Sequence, residues 1–138
     1  MMIGKMGFTG RLQKFLQRKG LGLDRNVNVG VGIEGFKKDH AFDLGSLEKK
    51  VLVECKSHRW TAGSNVPSAK LTVWNEAMYY FVVAPEGYRK IMFVLKYFST
   101  KTVTLAEYYI PRYKHLIPSD LEYWEYSELT KTAERLSI

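Results

Sequence analysis

Residues 27–34, VNVGVGIE, alternate apolar residues with polar or small ones. Successive side chains of a β-strand point to opposite faces, so this period of two predicts a strand with one buried face. The segments 40–46 and 50–57 are predicted as two further strands, and the residues between them, Leu47 to Lys49, are few enough for a hairpin. A sheet is therefore expected at the centre of the fold.

Helices are predicted before and after these strands in the chain. Apolar residues at helical spacing indicate an amphipathic helix over 9–19 with a basic outer face, and a longer helix over 68–83. The later segments are interpreted as a strand at 90–98, a helix at 104–115, a strand at 121–126 and a short helix in the tail at 128–136. This order is that of a mixed α/β domain in which a helix crosses over between the third and fourth strands.

Length and composition limit the class of protein. The 138 residues fit one domain, 1–138, and the 46% apolar and 25% charged fractions are those of an ordinary soluble globular protein. The one cysteine, Cys55, excludes an intramolecular disulfide and a cysteine-based zinc cluster and is typical of a reducing compartment. No apolar run has the length of a signal peptide or approaches the roughly 20 residues of a membrane span. We therefore expect a cytoplasmic protein with no membrane partner.

One glycine pattern resembles a cofactor motif but does not fit its mechanism. Gly30, Gly32 and Gly35 have the spacing G-x-G-x-x-G of dinucleotide-binding loops. That motif needs a helix that begins at the third glycine and meets a pyrophosphate. Here the pattern runs into another predicted strand, so dinucleotide binding is not expected. The glycines are expected to allow strand curvature or the close approach of another backbone.

The segment 51–56, VLVECK, is an apolar strand that carries two charges. Alternation places Glu54 and Lys56 on one face, about 7 Å apart along a strand that rises about 3.3 Å per residue. Burying a carboxylate and an ammonium is costly unless they pair with each other or bind an ion. Two interpretations are open: an ordinary ion pair at a strand end, or part of an ion-binding site.

Asp43 bears on that choice through the register of the hairpin. If the loop is Glu48-Lys49, Asp43 faces Glu54, and directly opposed side chains lie about 5 Å apart at Cβ. Like charges at that distance are destabilising unless a cation lies between them, and hard oxygen ligands suit Mg²⁺. A three-residue loop would instead send Asp43 to the opposite face. The turn lacks an Asn-Gly signal, so both registers are open.

Asp43, followed by Glu54-Cys55-Lys56 at the end of an apolar strand, resembles the signature of the PD-(D/E)XK nuclease superfamily. This superfamily includes restriction endonucleases, Holliday-junction resolvases and repair nucleases. The resemblance covers residues 9–98 and implies an α/β fold with a restriction-endonuclease-like αβββαβ core, a central mixed sheet flanked by helices and a C-terminal helix/strand addition. It implies that Asp43, Glu54 and the backbone carbonyl of Cys55 bind Mg²⁺, with Mn²⁺ able to substitute. Lys56 would position or activate the attacking water.

The chain departs from the family pattern at several positions. Phe42 stands where many members have proline, and the first helix lacks the carboxylate that many members place there, which puts a second metal in doubt. Glu76 and Tyr80, one helical turn apart, are similar to a polar-xxx-Tyr motif of some members, but the glutamine is absent. A plain amphipathic helix is the favoured interpretation.

The net charge of +7 favours a polyanionic partner, nucleic acid before an acidic membrane face. Candidate contacts to nucleic acid are Lys37 and Lys38 beside the hairpin and His58, Arg59 and Lys70 in and after the loop at 57–70. Strict alternation places His40, three residues before Asp43, on the opposite face from the proposed site.

The leading interpretation is a Mg²⁺-dependent endonuclease that hydrolyses phosphodiester bonds in DNA. A homodimer is expected if it makes double-strand breaks, because a single site cuts one strand at a time. Two alternatives remain: a catalytically inactive nucleic-acid-binding module with the same fold, and an α/β interaction protein in which Glu54 and Lys56 form only a structural pair.

Overall fold

A computed structural model describes residues 7–61, 65–98 and 102–138. The elements in chain order are α1 (Phe8–Arg18), β1 (Asp24–Ile33), β2 (Phe36–Ser46), β3 (Val51–Lys56), α2 (Ser68–Val82), β4 (Arg89–Leu95), α3 (Leu105–Tyr113), a 3₁₀ turn (Lys114–Leu116), β5 (Leu121–Ser127) and β6 (Thr132–Leu136). Within the described ranges, no helix has the length and apolar character needed to cross a membrane.

The six strands form one mixed sheet in the order β1-β2-β3-β4-β5-β6. β1, β2 and β3 are antiparallel neighbours, β3, β4 and β5 run parallel, and β6 returns antiparallel beside β5. The two parallel steps follow because α2 and α3 cross over between the strands that they connect. The α/β class and the mixed sheet flanked by helices are as the sequence predicts.

Helices cover both faces of the sheet, and each face has its own core. The apolar stripe of α1, with Leu12 and Phe15, packs on one face against Val53 and Phe93. On the other face α2 and α3 pack against Leu52 and other sheet residues. The fully buried side chains of α2 are Leu71, Trp74, Met78 and Phe81. Burying a large apolar side chain contributes about 1.5–3 kcal/mol, so these two layers hold β3 in the middle of the domain.

The tail forms a strand, so its sequence-based interpretation as a short helix over 128–136 is wrong. The chain turns back after β5, where the Ser127 hydroxyl accepts a hydrogen bond from the Thr130 N–H and Lys131 has a φ of 55°. β6 then pairs with β5 from Ser127↔Thr132 to Tyr123↔Leu136. Without β6, the backbone N–H and C=O groups along one edge of β5 would be unpaired. Pairing with them favours a strand more strongly than the weak local sequence pattern favours a helix.

The glycine pattern belongs to the hairpin of β1 and β2. Glu34 and Gly35 form its two-residue turn with φ values of 54° and 84°, as the twist of a type I′ hairpin requires. At Gly32 a Cβ atom would lie 1.8 Å from the carbonyl oxygen of Phe36, so only glycine fits there. The close backbone approach expected at this motif is confirmed, and no helix begins at Gly35.

The start of α3 carries a capping box whose contribution to stability can be tested. Thr104 caps the helix: its hydroxyl accepts from the Glu107 N–H at 3.1 Å, and the Glu107 carboxylate accepts from the Thr104 N–H at 2.9 Å. We expect Thr104→Ala to lower the free energy of unfolding in urea by about 1–2 kcal/mol. Thr72→Ala, on the exposed side of α2, is the control and is expected to change it by less than about 0.5 kcal/mol. Equal stabilities would contradict the capping role.

Candidate active site

The candidate site lies where β2 and β3 separate. Their pairing runs only from Ser46↔Val51 to Leu44↔Val53, which places Asp43 opposite Glu54, as the even-loop register predicts. Beyond that pair, hydrogen bonds to side chains replace the backbone hydrogen bonds between the two strands. The Asp43 N–H donates to Glu54 Oε1 at 3.2 Å, and the Cys55 N–H donates to Asp43 Oδ2 at 2.8 Å. The carboxylates of Asp43 and Glu54 therefore lie together in the gap where β2 and β3 diverge, which we call the fork.

The fork interrupts the side-chain alternation of β2. Phe42 packs in the core under α2, whereas Leu44, two residues on, packs in the core under α1. His40 therefore lies on the same face as Glu54, with its Nε2 atom 3.6 Å from Glu54 Oε1. The sequence-based placement of His40 on the opposite face is wrong, because strict alternation does not continue through Asp43.

Lys56 completes the group on β3. Its Nζ atom lies 3.8 Å from Glu54 Oε2, and the two side chains share one face of the strand, as alternation predicts. The Lys56 side chain is 18% exposed and that of Glu54 only 7%. The ammonium is thus the more accessible member of the pair and can reach a ligand that enters from solvent.

Helix α2 contributes two residues to the surroundings of the fork, Tyr80 and Glu76, although the sequence favours a plain amphipathic helix there. The ring of Tyr80 stacks on that of His40, with centroids 3.7 Å apart and planes at 11°. The carboxylate of Glu76, one turn earlier, acts electrostatically on both His40 and Glu54. The useful signal was the spacing of Glu76 and Tyr80 on the helix that follows the third strand, and only the missing glutamine argued against it.

The carboxylates at the fork have too little positive charge around them to balance their own. Burial, reinforced by the Asp43 carboxylate and opposed by Lys56, raises the pKa of Glu54 to about 7. Burial lowers the pKa of His40, although the carboxylates of Asp43 and Glu76 oppose the shift. His40 Nε2 is buried and has no hydrogen-bond partner among the described residues. A carboxylate that resists ionisation beside a second carboxylate is relieved by a bound cation.

The donors present suit a hard divalent cation that keeps part of its water shell. Among the described residues, no three His, Cys, Asp or Glu side chains form a group able to hold a metal ion by themselves. Asp43 and Glu54 supply two carboxylates, and a backbone oxygen can supply a third donor. The Cys55 N–H points at Asp43, and the N–H and C=O of one strand residue point to the same side, so the Cys55 carbonyl also faces the fork. Mg²⁺ is typically bound through few protein oxygens and several waters.

The thiol of Cys55 takes no part in this group. The side chain packs in the core under α1, and burial raises the pKa of the thiol. Only the backbone of Cys55 borders the fork.

The predicted nucleic-acid contacts divide between two faces. Lys38 pairs with Val31, which is buried under α2, so Lys38 lies on the face of the fork, whereas Lys37 lies on the other face. His58 also lies on the fork side: its Nδ1 accepts from Trp74 Nε1 at 2.8 Å. Burial, together with the charges of Lys56 and Lys70, lowers the pKa of His58.

Arg59 points away from this group. Its guanidinium lies 5.0 Å from the centroid of the Tyr97 ring and lines a cavity near the end of β5. Residues 62–64 of the predicted binding loop lie outside the described residues. The structure therefore brings Lys38, His58 and Lys70 to the fork side of the sheet and leaves Lys37 and Arg59 elsewhere.

Comparison of the chain with protein-family models, with curated proteins and with solved structures gave no match in any of the three. The resemblance to the nuclease superfamily therefore stays an interpretation of Asp43 and the Glu54-Cys55-Lys56 segment. In chemical terms the fork holds two carboxylates, one ammonium and one imidazole.

Proposed function

We propose that this protein is a Mg²⁺-dependent endonuclease that hydrolyses phosphodiester bonds in DNA, with a restriction-endonuclease-like αβββαβ core. One observation carries the proposal: Asp43 and Glu54 are opposed where β2 and β3 separate, with Lys56 beside Glu54 on the same face. The element order from α1 to β4 supports the same core, since it is α-β-β-β-α-β.

Each residue of the group has a chemical role in phosphodiester hydrolysis. Asp43, Glu54 and the Cys55 carbonyl would hold Mg²⁺, which when bound polarises a phosphate and lowers the pKa of a coordinated water. The Lys56 ammonium stabilises the negative charge that develops on the phosphate and orients the attacking water. The His40 ring, which stacks on that of Tyr80, lies beside Glu54 with its Nε2 atom 3.6 Å from Oε1.

The charge of the chain supports a nucleic acid as the substrate. The net charge of +7 favours a polyanion. Lys38, Lys56 and Lys70 lie on the fork side of the sheet, where a phosphate backbone would approach the carboxylates. Because one site cuts one strand at a time, we expect a homodimer if both strands of a duplex are cut.

Nicking of supercoiled plasmid DNA in Mg²⁺ or Mn²⁺ tests the proposal. We expect Asp43→Asn to abolish nicking, because it removes one of the two carboxylates that hold the cation. Asp39→Asn is the matched control, since Asp39 is an exposed aspartate on β2 that lies on the face away from the fork. Nicking that survives Asp43→Asn, or that is lost equally in Asp39→Asn, would contradict the assignment.

A catalytically inactive DNA-binding module is the second candidate. It is favoured by the lack of a group of three metal-binding side chains among the described residues. Salt-dependent DNA binding without cleavage in either metal would select this candidate. Absence of both binding and cleavage would instead favour an interaction protein in which Glu54 and Lys56 form only a structural pair.

A further inference from the structure

A buried tryptophan fixes which nitrogen of His58 carries the proton. Trp74 is fully buried in the core under α2, and its Nε1–H donates to His58 Nδ1 at 2.8 Å. An indole nitrogen can only donate, so Nδ1 must be the accepting nitrogen. Burial, together with the charges of Lys56 and Lys70, lowers the pKa of His58, so the ring is neutral at neutral pH. The proton of this neutral ring is therefore on Nε2.

The Nε2–H group of His58 is open to a ligand. Within the described ranges no residue is hydrogen-bonded to Nε2, and this atom is not one of the buried polar atoms that lack a partner. The side chain as a whole is half-buried, so Nε2 lies at its accessible end. His58 thus presents one N–H donor to solvent, in an orientation that the hydrogen bond from Trp74 holds.

The charges beside His58 favour an anion. The ammonium groups that act on its ring are those of Lys56, on the fork face of β3, and Lys70, the third residue of α2, and no carboxylate of the described residues shifts its pKa. The first turn of α2 contains no acidic residue. Because the N-terminal end of a helix carries a partial positive charge, a lysine there is unfavourable by itself and becomes favourable when an anion is bound. Two ammonium groups and one N–H group can only donate, so a ligand that meets them must supply acceptors.

A phosphate of the substrate can supply those acceptors. His58 follows Lys56 by two residues, so the two Cα atoms are at most about 7 Å apart. The fork would hold one phosphate on its cation, with Lys56 beside it. His58 and Lys70 are then placed to meet a neighbouring phosphate of the same strand. Contacts of this kind fix the register and orientation of a nucleic acid on a protein.

We propose that the His58 Nε2–H group and the Lys70 ammonium bind a second phosphodiester group of the DNA strand, next to the phosphate that Lys56 meets at the fork. This site rests on the proposed nuclease function and adds a contact that fixes the register of the strand over the cation. Since the His58 ring is neutral, its contact depends on geometry, whereas Lys70 supplies charge. Phosphate contacts carry no sequence information, so this site adds no preference for particular bases.

Two variants of His58 separate a phosphate contact from a structural role. In His58→Asn the side-chain oxygen replaces Nδ1 and accepts from Trp74, but the donor to the phosphate is lost. In His58→Gln the amide nitrogen replaces Nε2 and donates, but Trp74 loses its partner. We expect His58→Asn to lower the affinity for a short DNA duplex in Ca²⁺ about tenfold and His58→Gln to stay within about threefold of the wild type. Stability in urea should follow the reverse order, since a buried donor without a partner is costly.

The charge of Lys70 is measured by the salt dependence of binding. Lys70→Gln is expected to reduce the slope of log affinity against log salt concentration by about 0.9, and neither His58 variant should change that slope. His115→Asn removes an exposed histidine of the 3₁₀ turn and is the control. It should keep the affinity and the slope of the wild type.

Four results would overturn the proposal. They are wild-type affinity in His58→Asn, a larger loss of affinity in His58→Gln than in His58→Asn, an unchanged slope in Lys70→Gln, and no DNA binding by the wild type. The second would make His58 only a structural partner of Trp74. Loss of affinity in His58→Asn alone, in a chain that nicks no DNA in any metal, would support the phosphate site and refute the nuclease. Nicking that requires Asp43, with wild-type affinity in His58→Asn, would support the nuclease and refute this site.

Discussion

Lys56→Met is expected to lower the rate of Mg²⁺-dependent nicking by a factor on the order of a hundred to a thousand. The reason is that the Lys56 ammonium stands beside the carboxylate pair and is its more exposed neighbour, in the position to meet charge that develops on a phosphate. Loss of one well-placed donor of this kind has that effect in other hydrolases. DNA binding should persist, because one lysine contributes little to a charge of +7.

The control for this variant is Lys37→Met, which removes the same charge from the other face of β2. Both variants should show the same salt dependence of DNA binding, and only Lys56→Met should lose nicking. If both lose nicking to the same extent, the role of Lys56 is general attraction of DNA rather than chemistry. Unchanged nicking in Lys56→Met would remove Lys56 from the site.

Glu54→Gln is expected to stabilise the metal-free protein while abolishing nicking. Burial raises the pKa of Glu54 from its ordinary value of 4.5 to about 7 in the folded state. A raised pKa means that the folded state holds the proton more tightly, so the associated stability is fully present below about pH 4.5 and is lost as the pH rises to about 7. The difference corresponds to about 3 kcal/mol at pH 8.

The measurement is the free energy of unfolding in urea with EDTA at several pH values. Glu54→Gln should exceed the wild type by up to about 3 kcal/mol at pH 8, and the gap should close towards pH 4. The lowered pKa values of His40 and His58 act in the opposite direction, but both proteins contain these residues. Glu48→Gln, in the exposed turn before β3, is the control and should match the wild type. A gap that widens on acidification would contradict the account.

Local sequence patterns predict most of the helices and strands, because the spacing of their apolar residues is clear. The alternation in 27–34 and the apolar spacing in 68–83 each fix which face is buried, and β1 and α2 form there. The helix predicted in the tail does not form, because the strand there depends on pairing with β5, a long-range contact that the short stretch 132–136 does not reveal.

The sequence predicts that Glu54 and Lys56 share a face and leaves the rest of the candidate site open for physical reasons. Glu54 and Lys56 follow from the parity of one strand. Asp43 needs the hairpin register, which is set by a turn in which the Ser46 hydroxyl accepts from the Lys49 N–H at 2.9 Å and Lys50 has a φ of 59°. A slip of β3 by one residue would turn the side chains that it buries under α1 to the face under α2, and would turn Glu54 and Lys56 to the face under α1.

Local sequence patterns do not fix where the side chains of His40 and Tyr80 lie. His40 lies at the fork only because the side-chain alternation of β2 is interrupted at Asp43. At that point hydrogen bonds to side chains replace the backbone hydrogen bonds between β2 and β3. Tyr80 reaches it only because α2 packs across the sheet so that its ring covers that of His40. Both depend on contacts between elements distant in sequence.

A crystal structure of the protein soaked in Mn²⁺, read by anomalous scattering, tests the central claim most directly. The account predicts a peak in the fork, about 2.0–2.2 Å from carboxylate oxygens of Asp43 and Glu54 and from the Cys55 carbonyl oxygen. A fork without a peak at saturating Mn²⁺, with the Asp43 and Glu54 side chains in place, would contradict it.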